Sequence, residues 1–423
     1  MQKLEYPSIG ETIYRDTLPN GLRLAVITKP GYTRCFALFA TNYGGADRRF
    51  RLGGEYIDTP MGVAHFLEHK MFDMPDGDNA LSTLASNGAQ PNAYTSSGIT
   101  AYHFESTANF EENLRMLLKF VSTPYFTAES VAKEQGIIGQ EIRMCEDNPD
   151  YVIYDELMRC LYAYNPIRES VAGTIESIAE ITPETLYNCH KIFYTPGNMA
   201  LTVVGDVDPE MVKNAALEIL PAEPGEVPGR DYGPAEQETP FKPRFERAME
   251  VSAPQFMIGC KLPPAEKGDA LLRQKLVSGL ALNYLYSQSS PFYSRLYAEG
   301  LLNTDFFVDV DYAANTMSVL SGGESRDVER VFDLFCAEAE KAAAEGLDAD
   351  YFSRIKKAGY GARIRSLSSF SGLCQAMADA EFGEYNCLDS FAVSESIGME
   401  EVHAFIRDSL KRENFAMSVI RPT

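Results

Sequence analysis

Histidine is scarce in this chain of 423 residues, which contains only 5. Cysteine occurs 8 times but never as a Cys-x-x-Cys pair, which excludes a zinc ribbon and a thioredoxin-like redox site. Cys35, Cys145, Cys160, Cys189, Cys260, Cys336, Cys374 and Cys387 are scattered instead, and are expected to be buried free thiols. No apolar run approaches the roughly 18 residues of a membrane-spanning helix. The opening MQKLEYPSIGETIYRD lacks the basic start and apolar core of a secretory leader, so a soluble, cytoplasmic chain is expected. Positive charge is also short: 38 Lys and Arg stand against 60 Asp and Glu, a net charge of -22. Phosphate-rich partners need a basic surface, so neither nucleic acid nor an anionic membrane is expected to bind. Basic or neutral substrates are mildly favoured, although such a charge also serves plain solubility.

What is present is the composition of a folded protein, with 45% hydrophobic and 23% charged residues. The length exceeds one ordinary domain. Residues 221–244, PAEPGEVPGRDYGPAEQETPFKPR, are rich in proline and glycine and read as an extended linker. The linker separates an N-terminal domain, residues 1–220, from a C-terminal domain, residues 245–423. These halves resemble each other. ITPETLYNCHKIFYTPGNMALTVVG from Ile181 and IGMEEVHAFIRDSLKRENFAMSVIR from Ile397 both predict a capped amphipathic helix, a turn at Asn198 or Asn414, and a strand. RCFALFATNYGGADRR from Arg34 matches the stretch around Gln255, and GVAHFLEH from Gly62 falls opposite GLALNYLY from Gly279. An offset of about 216 residues means a duplicated domain rather than a solenoid. Each copy mixes β-runs with long helical patterns. The expected fold class is therefore α+β, two homologous sandwich halves, each an antiparallel-rich sheet with helices.

In GVAHFLEHKMF, residues 62–72, His65 and His69 flank Glu68. Thr59 and Pro60 read as a helix start, with Thr as the cap and Pro in the first helical position, and Pro75 and Gly77 end the run. On a helix the two histidines stack one turn apart, so their nitrogens can meet one zinc ion at about 2.0–2.1 Å. Glu68 lies beside that stripe, where it suits a base acting on water, as in the inverted zincin motif. The second copy has Leu282, Leu285 and Tyr286 at the three positions, so the fold does not itself require polar residues there. The plainer reading is a packed or relic histidine pair; His-x-x-Glu-His in so histidine-poor a chain argues against it.

Catalytic zinc takes a third protein ligand and keeps one position open. TAESVAKEQGIIGQEIRMCEDNPDYVIYDELMRCLY, from Thr127, predicts one long helix that holds Glu134 and Glu141. Two turns separate them, about 10 Å along the axis, on one face. One carboxylate can reach the metal, and the other is left to orient a histidine or the water. Cys145 and Glu146 read as packing and surface.

His-x-x-Glu-His, followed about seventy residues later by Glu-x6-Glu, resembles the pattern of the pitrilysin/insulinase inverzincins. That metallopeptidase family includes the β-subunit of the mitochondrial processing peptidase. TLPNGLRLAVI at Thr17, NAYTSSGITAYHFEST at Asn92 and GTIESIAEITPETLYNCHKIFYTPGNMALTVVGDV at Gly173 look like its opening strand, the strand pair after its motif helix, and the end of its first half. The resemblance thus covers nearly the whole chain, and KLEYPSIGETIYRDTLPNG with AHFLEHKMF looks nearest to the bacterial YmfH-type branch. The resemblance implies zinc ligands at His65, His69 and Glu141, a general base at Glu68 and a supporting acid at Glu134. It also implies one half of a clamshell that closes around an unfolded peptide. The peptide would add as a strand near Asn92 and Ala93. In one subfamily the two halves are separate chains.

One departure stands out. The family's second half carries an Arg and a Tyr that grip the scissile carbonyl. In SRLYAEGLLNTDF, from Ser294, Asn303 stands where Tyr is expected and Tyr297 is nearest the Arg position, while Arg295 belongs to the preceding helix. Two oxyanion donors, worth roughly 3 kcal/mol each, are missing. The expected protein is a Zn2+-dependent endopeptidase of short or unfolded peptides, the catalytic half of a heterodimer. Its partner would lack His-x-x-Glu-His and supply the Arg/Tyr pair. A homodimer using Arg295 and Tyr297 is the alternative assembly. The rival readings are an assembly subunit with a vestigial zinc site and a zinc hydrolase of non-peptide amides.

Overall fold

In the computed structural model, which describes residues 1–423, fifteen strands lie along the chain. They are β1 (Gln2–Tyr6), β2 (Glu11–Thr17), β3 (Arg23–Thr28), β4 (Cys35–Thr41), β5 (Arg49–Leu52), β6 (Glu55–Asp58), β7 (Ala89–Thr95) and β8 (Thr100–Ser106). After them come β9 (Met199–Gly205), β10 (Gly229–Arg230), β11 (Arg244–Met249), β12 (Gln255–Leu262), β13 (Phe307–Ala313), β14 (Thr316–Glu324) and β15 (Phe415–Pro422). One sheet has the order β1-β2-β3-β9-β4-β8-β7, and another has β11-β15-β12-β14-β13. Without β1 and β2 the two orders match strand for strand. Each sheet has a single parallel pair at the same place, β3 with β9 and β11 with β15, and is otherwise antiparallel. The duplication and the antiparallel-rich α+β class are thus present in the strand order itself. A small sheet, β10-β5-β6, completes the set.

The chain forms two compact units, and neither is a simple half of the sequence. The first holds Met1–Ile142, Ser170–Asp231 and Ile364–Leu388; the second holds Arg143–Glu169, Tyr232–Arg363 and Asp389–Thr423. The physical reason lies in the sheets. β4 and β9 read CFALFAT and MALTVVG, and every residue of both is buried. A strand that is apolar on both faces needs cover on both. On one face Leu24, Val26, Phe39, Phe104 and Leu201 join a core with Phe66, Leu67, Leu117, Leu186 and Phe193 from surrounding helices. The other face receives the helix Phe370–Gly383, which packs on β4 and β9. There the Thr202 hydroxyl donates to the Cys374 carbonyl at 3.0 Å. In the second unit the helix Pro149–Leu161 packs in the same way on β12 and β15. Each sheet is therefore closed by a helix from the other half of the sequence. The expected linker is divided too: residues up to Asp231 group with the first unit, those from Tyr232 with the second.

Two helix boundaries differ from the sequence expectation. The long pattern from Thr127 is two helices, Ala128–Asp147 and Pro149–Leu161. Pro149 has no N–H to continue the first, and Asn148 caps the second by accepting from the Asp150 N–H at 2.9 Å. The motif helix is Val63–Lys70 and does not begin at Thr59 and Pro60. The Thr59 N–H and hydroxyl both donate to the Arg48 carbonyl instead, at 2.8 and 3.1 Å, which holds the strap before the helix. The helix starts at Gly62, whose φ of +89° favours glycine. A Cβ there would lie 2.6 Å from the Ala172 carbonyl oxygen, so the backbone passes at a distance only glycine permits. None of the eight cysteines forms a disulfide; six are buried, and Cys145 and Cys387 are half-buried rather than buried as expected. No helix is long and apolar enough to cross a membrane.

Candidate metal centre

The motif helix is short and lies on the first sheet, with Val63, Ala64, Phe66 and Leu67 in the core. That burial fixes the rotation of the helix and leaves His65 and His69 on the opposite stripe, with side chains 12% and 26% exposed. Their rings meet edge to face, centroids 4.6 Å apart. The helix Ala128–Asp147 brings Glu141 against both. Glu141 Oε1 is 3.5 Å from His65 Nε2, and Oε2 is 3.6 Å from His69 Nε2. His65, His69 and Glu141 each offer a ligand atom, all within 4.8 Å of one another.

Glu134, two turns earlier, takes a different position. Its Oε1 is 3.0 Å from His69 Nδ1, and its Oε2 is 3.7 Å from the Lys70 ammonium. The sequence left open which acid faces which histidine atom; the structure separates them. Burial pulls the His69 pKa down, but the Glu134 hydrogen bond and the charges of Glu141, Glu134 and Glu68 outweigh it and leave it raised. Burial likewise pushes Glu134 up, and its pairing with His69 and Lys70 overcomes this and holds it low. Contact with His65, opposed by burial and aided by the His69 charge, lowers Glu141. Both carboxylates are thus held in the charged form. His65 is oriented differently, since its Nδ1 is buried without a hydrogen-bond partner.

This donor set fits zinc. Two imidazole nitrogens and a carboxylate oxygen are a recognised catalytic combination, and ligands around a tetrahedral ion at 2.0–2.1 Å lie about 3.4 Å apart. The histidine–Glu141 separations of 3.5 and 3.6 Å match that spacing and are long for direct hydrogen bonds. The carboxylate on His69 Nδ1 leaves Nε2 as the free lone pair, the arrangement that orients metal-binding histidines elsewhere.

Glu68 is buried beside the cluster, and its Oε2 accepts from the Thr95 hydroxyl at 2.6 Å. Asn92 and Ala93 lie on β7, an edge strand of the first sheet. There the Ala93 N–H donates to the Asn92 side chain at 2.9 Å. Lys70 and Thr95 were not singled out from the sequence. Lys70 directly follows the motif and donates to Asp73, but the carboxylate it shares with His69, that of Glu134, is 64 residues away; Thr95 carries no signal beyond standing three residues after Asn92. In the second unit Leu282, Leu285 and Tyr286 are core residues of the helix Asp269–Tyr286. Arg295 and Tyr297 lie half-exposed on the helix Pro291–Ala298, with Arg295 3.7 Å from Glu338. The Asn303 amide donates to Asp305 and Glu324, at 3.3 Å each.

Comparison with known proteins gives the family. Residues 54–175 match the family model described as insulinase (peptidase family M16), and residues 180–358 match that of the peptidase M16 inactive domain. The uncharacterized zinc protease YmfH of Bacillus subtilis is 34% identical over 431 residues, covering 100% of this chain and 99% of that protein. An M16-like peptidase from Alicyclobacillus acidocaldarius superposes with a TM-score of 0.92 at 32% identity, over 99% of this chain and 100% of that one. A protease from Helicobacter pylori has the same fold, TM-score 0.82 at 18% identity, over 97% of this chain and 99% of the other. The chain belongs to the insulinase family, peptidase family M16.

Proposed function

We propose that the chain is a zinc-dependent endopeptidase for short or unfolded peptides and the catalytic subunit of a two-chain assembly. The observation that carries this reading is the convergence of His65, His69 and Glu141 within 4.8 Å, with the Glu68 carboxylate beside them. His65 Nε2, His69 Nε2 and a Glu141 oxygen would hold the ion. Zinc, when bound, supplies Lewis-acid polarisation of a peptide carbonyl and makes water a stronger acid. Glu68 takes the proton of the attacking water at its carboxylate and hands it to the departing amine nitrogen. Glu134 accepts from His69 Nδ1–H and fixes the tautomer that leaves Nε2 as donor. The substrate lies as an added strand along β7, with Asn92 and Ala93 at its edge; an unfolded chain satisfies that geometry and a folded one does not. Eight cysteines without a disulfide suit a reducing compartment, and this reading places the protein in the cytoplasm.

Two measurements on one substitution test the core of it. The purified protein should hold about one zinc per chain. Glu68→Gln should keep that zinc and, assayed together with the motif-lacking partner, abolish hydrolysis of a quenched peptide, because it removes a proton acceptor and no ligand. Loss of zinc from Glu68→Gln, or a wild-type chain without zinc after gentle purification, would falsify the assignment.

A further inference from the structure

Glu68 accepts one side-chain hydrogen bond, and its donor is on a different element. Thr95 ends β7 and pairs across the hairpin with Thr100, the first residue of β8. Thr100 is fully buried and donates to the Tyr43 carbonyl at 2.9 Å. Its own proton is therefore committed. The Thr95 hydroxyl lies 3.3 Å from the Thr100 oxygen but 2.6 Å from Glu68 Oε2. A carboxylate is the stronger acceptor, and the short distance is that of a charge-assisted bond. Threonine on a strand has few χ1 states, so the hydroxyl is aimed with little freedom.

The duplicated unit offers an internal comparison. Its equivalent hairpin, β13–β14, closes on Ala313 and Thr316. A threonine is kept at the Thr100 place, where its hydroxyl turns to the Ala313 carbonyl at 2.7 Å. At the Thr95 place there is alanine, in the copy where Leu285 stands for Glu68. The hydroxyl is missing where the carboxylate is missing, so the hairpin does not need it to form.

We infer that Thr95 is the positioning residue for Glu68. Its hydroxyl holds Oε2 and turns Oε1, which accepts no other hydrogen bond, toward the reacting water. This rests on the peptidase reading above. The donor is neutral, so the carboxylate remains a proton acceptor while its rotation is fixed. The Thr95 hydroxyl has Glu68 and Thr100 as its hydrogen-bond partners, none of His65, His69 or Glu141, and so acts through Glu68.

The test compares Thr95→Val, which keeps the shape and removes the hydroxyl, with Thr95→Ser, which keeps the hydroxyl. The zinc-loaded chain is assayed with its motif-lacking partner on a quenched peptide, and both variants are crystallised. Thr95→Val should lower kcat about 10–100-fold with KM little changed, the usual size for a misplaced catalytic group. Its zinc content and Tm should match the wild type, and its Glu68 side chain should be turned or disordered. Thr95→Ser should restore most of kcat and the Glu68 position. In a Glu68→Gln background Thr95→Val should cost nothing further. Unchanged kcat with Glu68 unmoved in Thr95→Val, or a Ser variant as impaired as the Val variant, overturns the inference. If the wild type itself hydrolyses nothing, the peptidase reading fails, and the place of Glu68 in the Thr95→Val crystal decides the positioning role alone.

Discussion

Glu134 Oε1 lies 3.0 Å from His69 Nδ1, whereas His65 Nδ1 has no partner at all. The two histidines of the motif are therefore held by different means. His69 is set by a carboxylate, which is itself held by Lys70 at 3.7 Å. His65 is set by packing and by Glu141. A carboxylate can only accept from an imidazole, so Nδ1 of His69 carries the hydrogen and Nε2 the lone pair.

Glu134→Gln tests this asymmetry. The amide can present its N–H₂ to Nδ1 and favour the wrong tautomer. Zinc affinity or activity should fall about 10–100-fold, the usual cost of losing such a partner. Elemental analysis should still find zinc at saturating metal, whereas Glu141→Gln, His65→Ala and His69→Ala should lower occupancy outright. Equal zinc loss in Glu134→Gln and Glu141→Gln would make both acids direct ligands and refute the division of roles.

Gly62→Ala probes the start of the motif helix. The added Cβ meets the Ala172 carbonyl at 2.6 Å, in a residue with φ at +89°. Strain of this kind costs about 1–3 kcal/mol, and relief requires the helix to shift. Urea denaturation should show that loss, and zinc affinity should weaken with it because His65 begins one turn later. Full stability in Gly62→Ala would mean that the strap around Ala172 yields freely.

Stability should also fall with mild acid. Burial pushes His190 down to about 4, against a raising hydrogen bond in which Nε2–H donates to the Val121 carbonyl at 2.9 Å. The folded state therefore refuses a proton that the unfolded chain accepts near 6.5. Between those values the unfolded state binds more protons, so stability rises with pH; it is complete above about 6.5 and lost as pH drops toward 4. The full span is worth about 3 kcal/mol. Denaturation at pH 7.5 and pH 5 should show a smaller difference in His190→Gln than in wild type, and equal slopes would assign the acid sensitivity elsewhere.

The halves of the fold were legible in the sequence because β9 and β15 repeat one helix-turn-strand pattern at a fixed offset, and that pattern depends only on local periodicity. The exchange of helices was not. Nothing local in Phe370–Gly383 says that it closes the first sheet; only the double-sided apolarity of CFALFAT and MALTVVG hints that some cover is needed. The proposed metal ligands could be named from the sequence since His65 and His69 are one helical turn apart, and Glu141 followed from the family pattern; their clustering within 4.8 Å is what the structure adds. Thr95 and Lys70 were hidden because a lone Thr or Lys acquires meaning only from what faces it. The Thr59 cap failed because its N–H and hydroxyl both tie it to the Arg48 carbonyl, in a strap that precedes the helix start at Gly62.

The last prediction concerns the Arg/Tyr carbonyl grip that the family resemblance implies and that the two-chain proposal assigns to a partner. Asn303 occupies the expected tyrosine position, and its amide is already engaged by Asp305 and Glu324. Arg295 is near Glu338, and Tyr297 is exposed and unsuited in chemistry to replace an arginine. An oxyanion left without donors forfeits roughly 3 kcal/mol for each. The isolated chain should therefore bind zinc and turn over a peptide panel very slowly. Mixing it with a homologue that lacks His-x-x-Glu-His and carries the Arg/Tyr pair should restore cleavage. Replacing that partner's Arg or Tyr with Ala should then cost about 100-fold or more. Light scattering fixes the assembly in each case. Rapid turnover by a homodimer, lost on Arg295→Ala or Tyr297→Phe, would replace the two-chain model with a self-sufficient one and leave the roles of His65, Glu68, His69 and Glu141 intact.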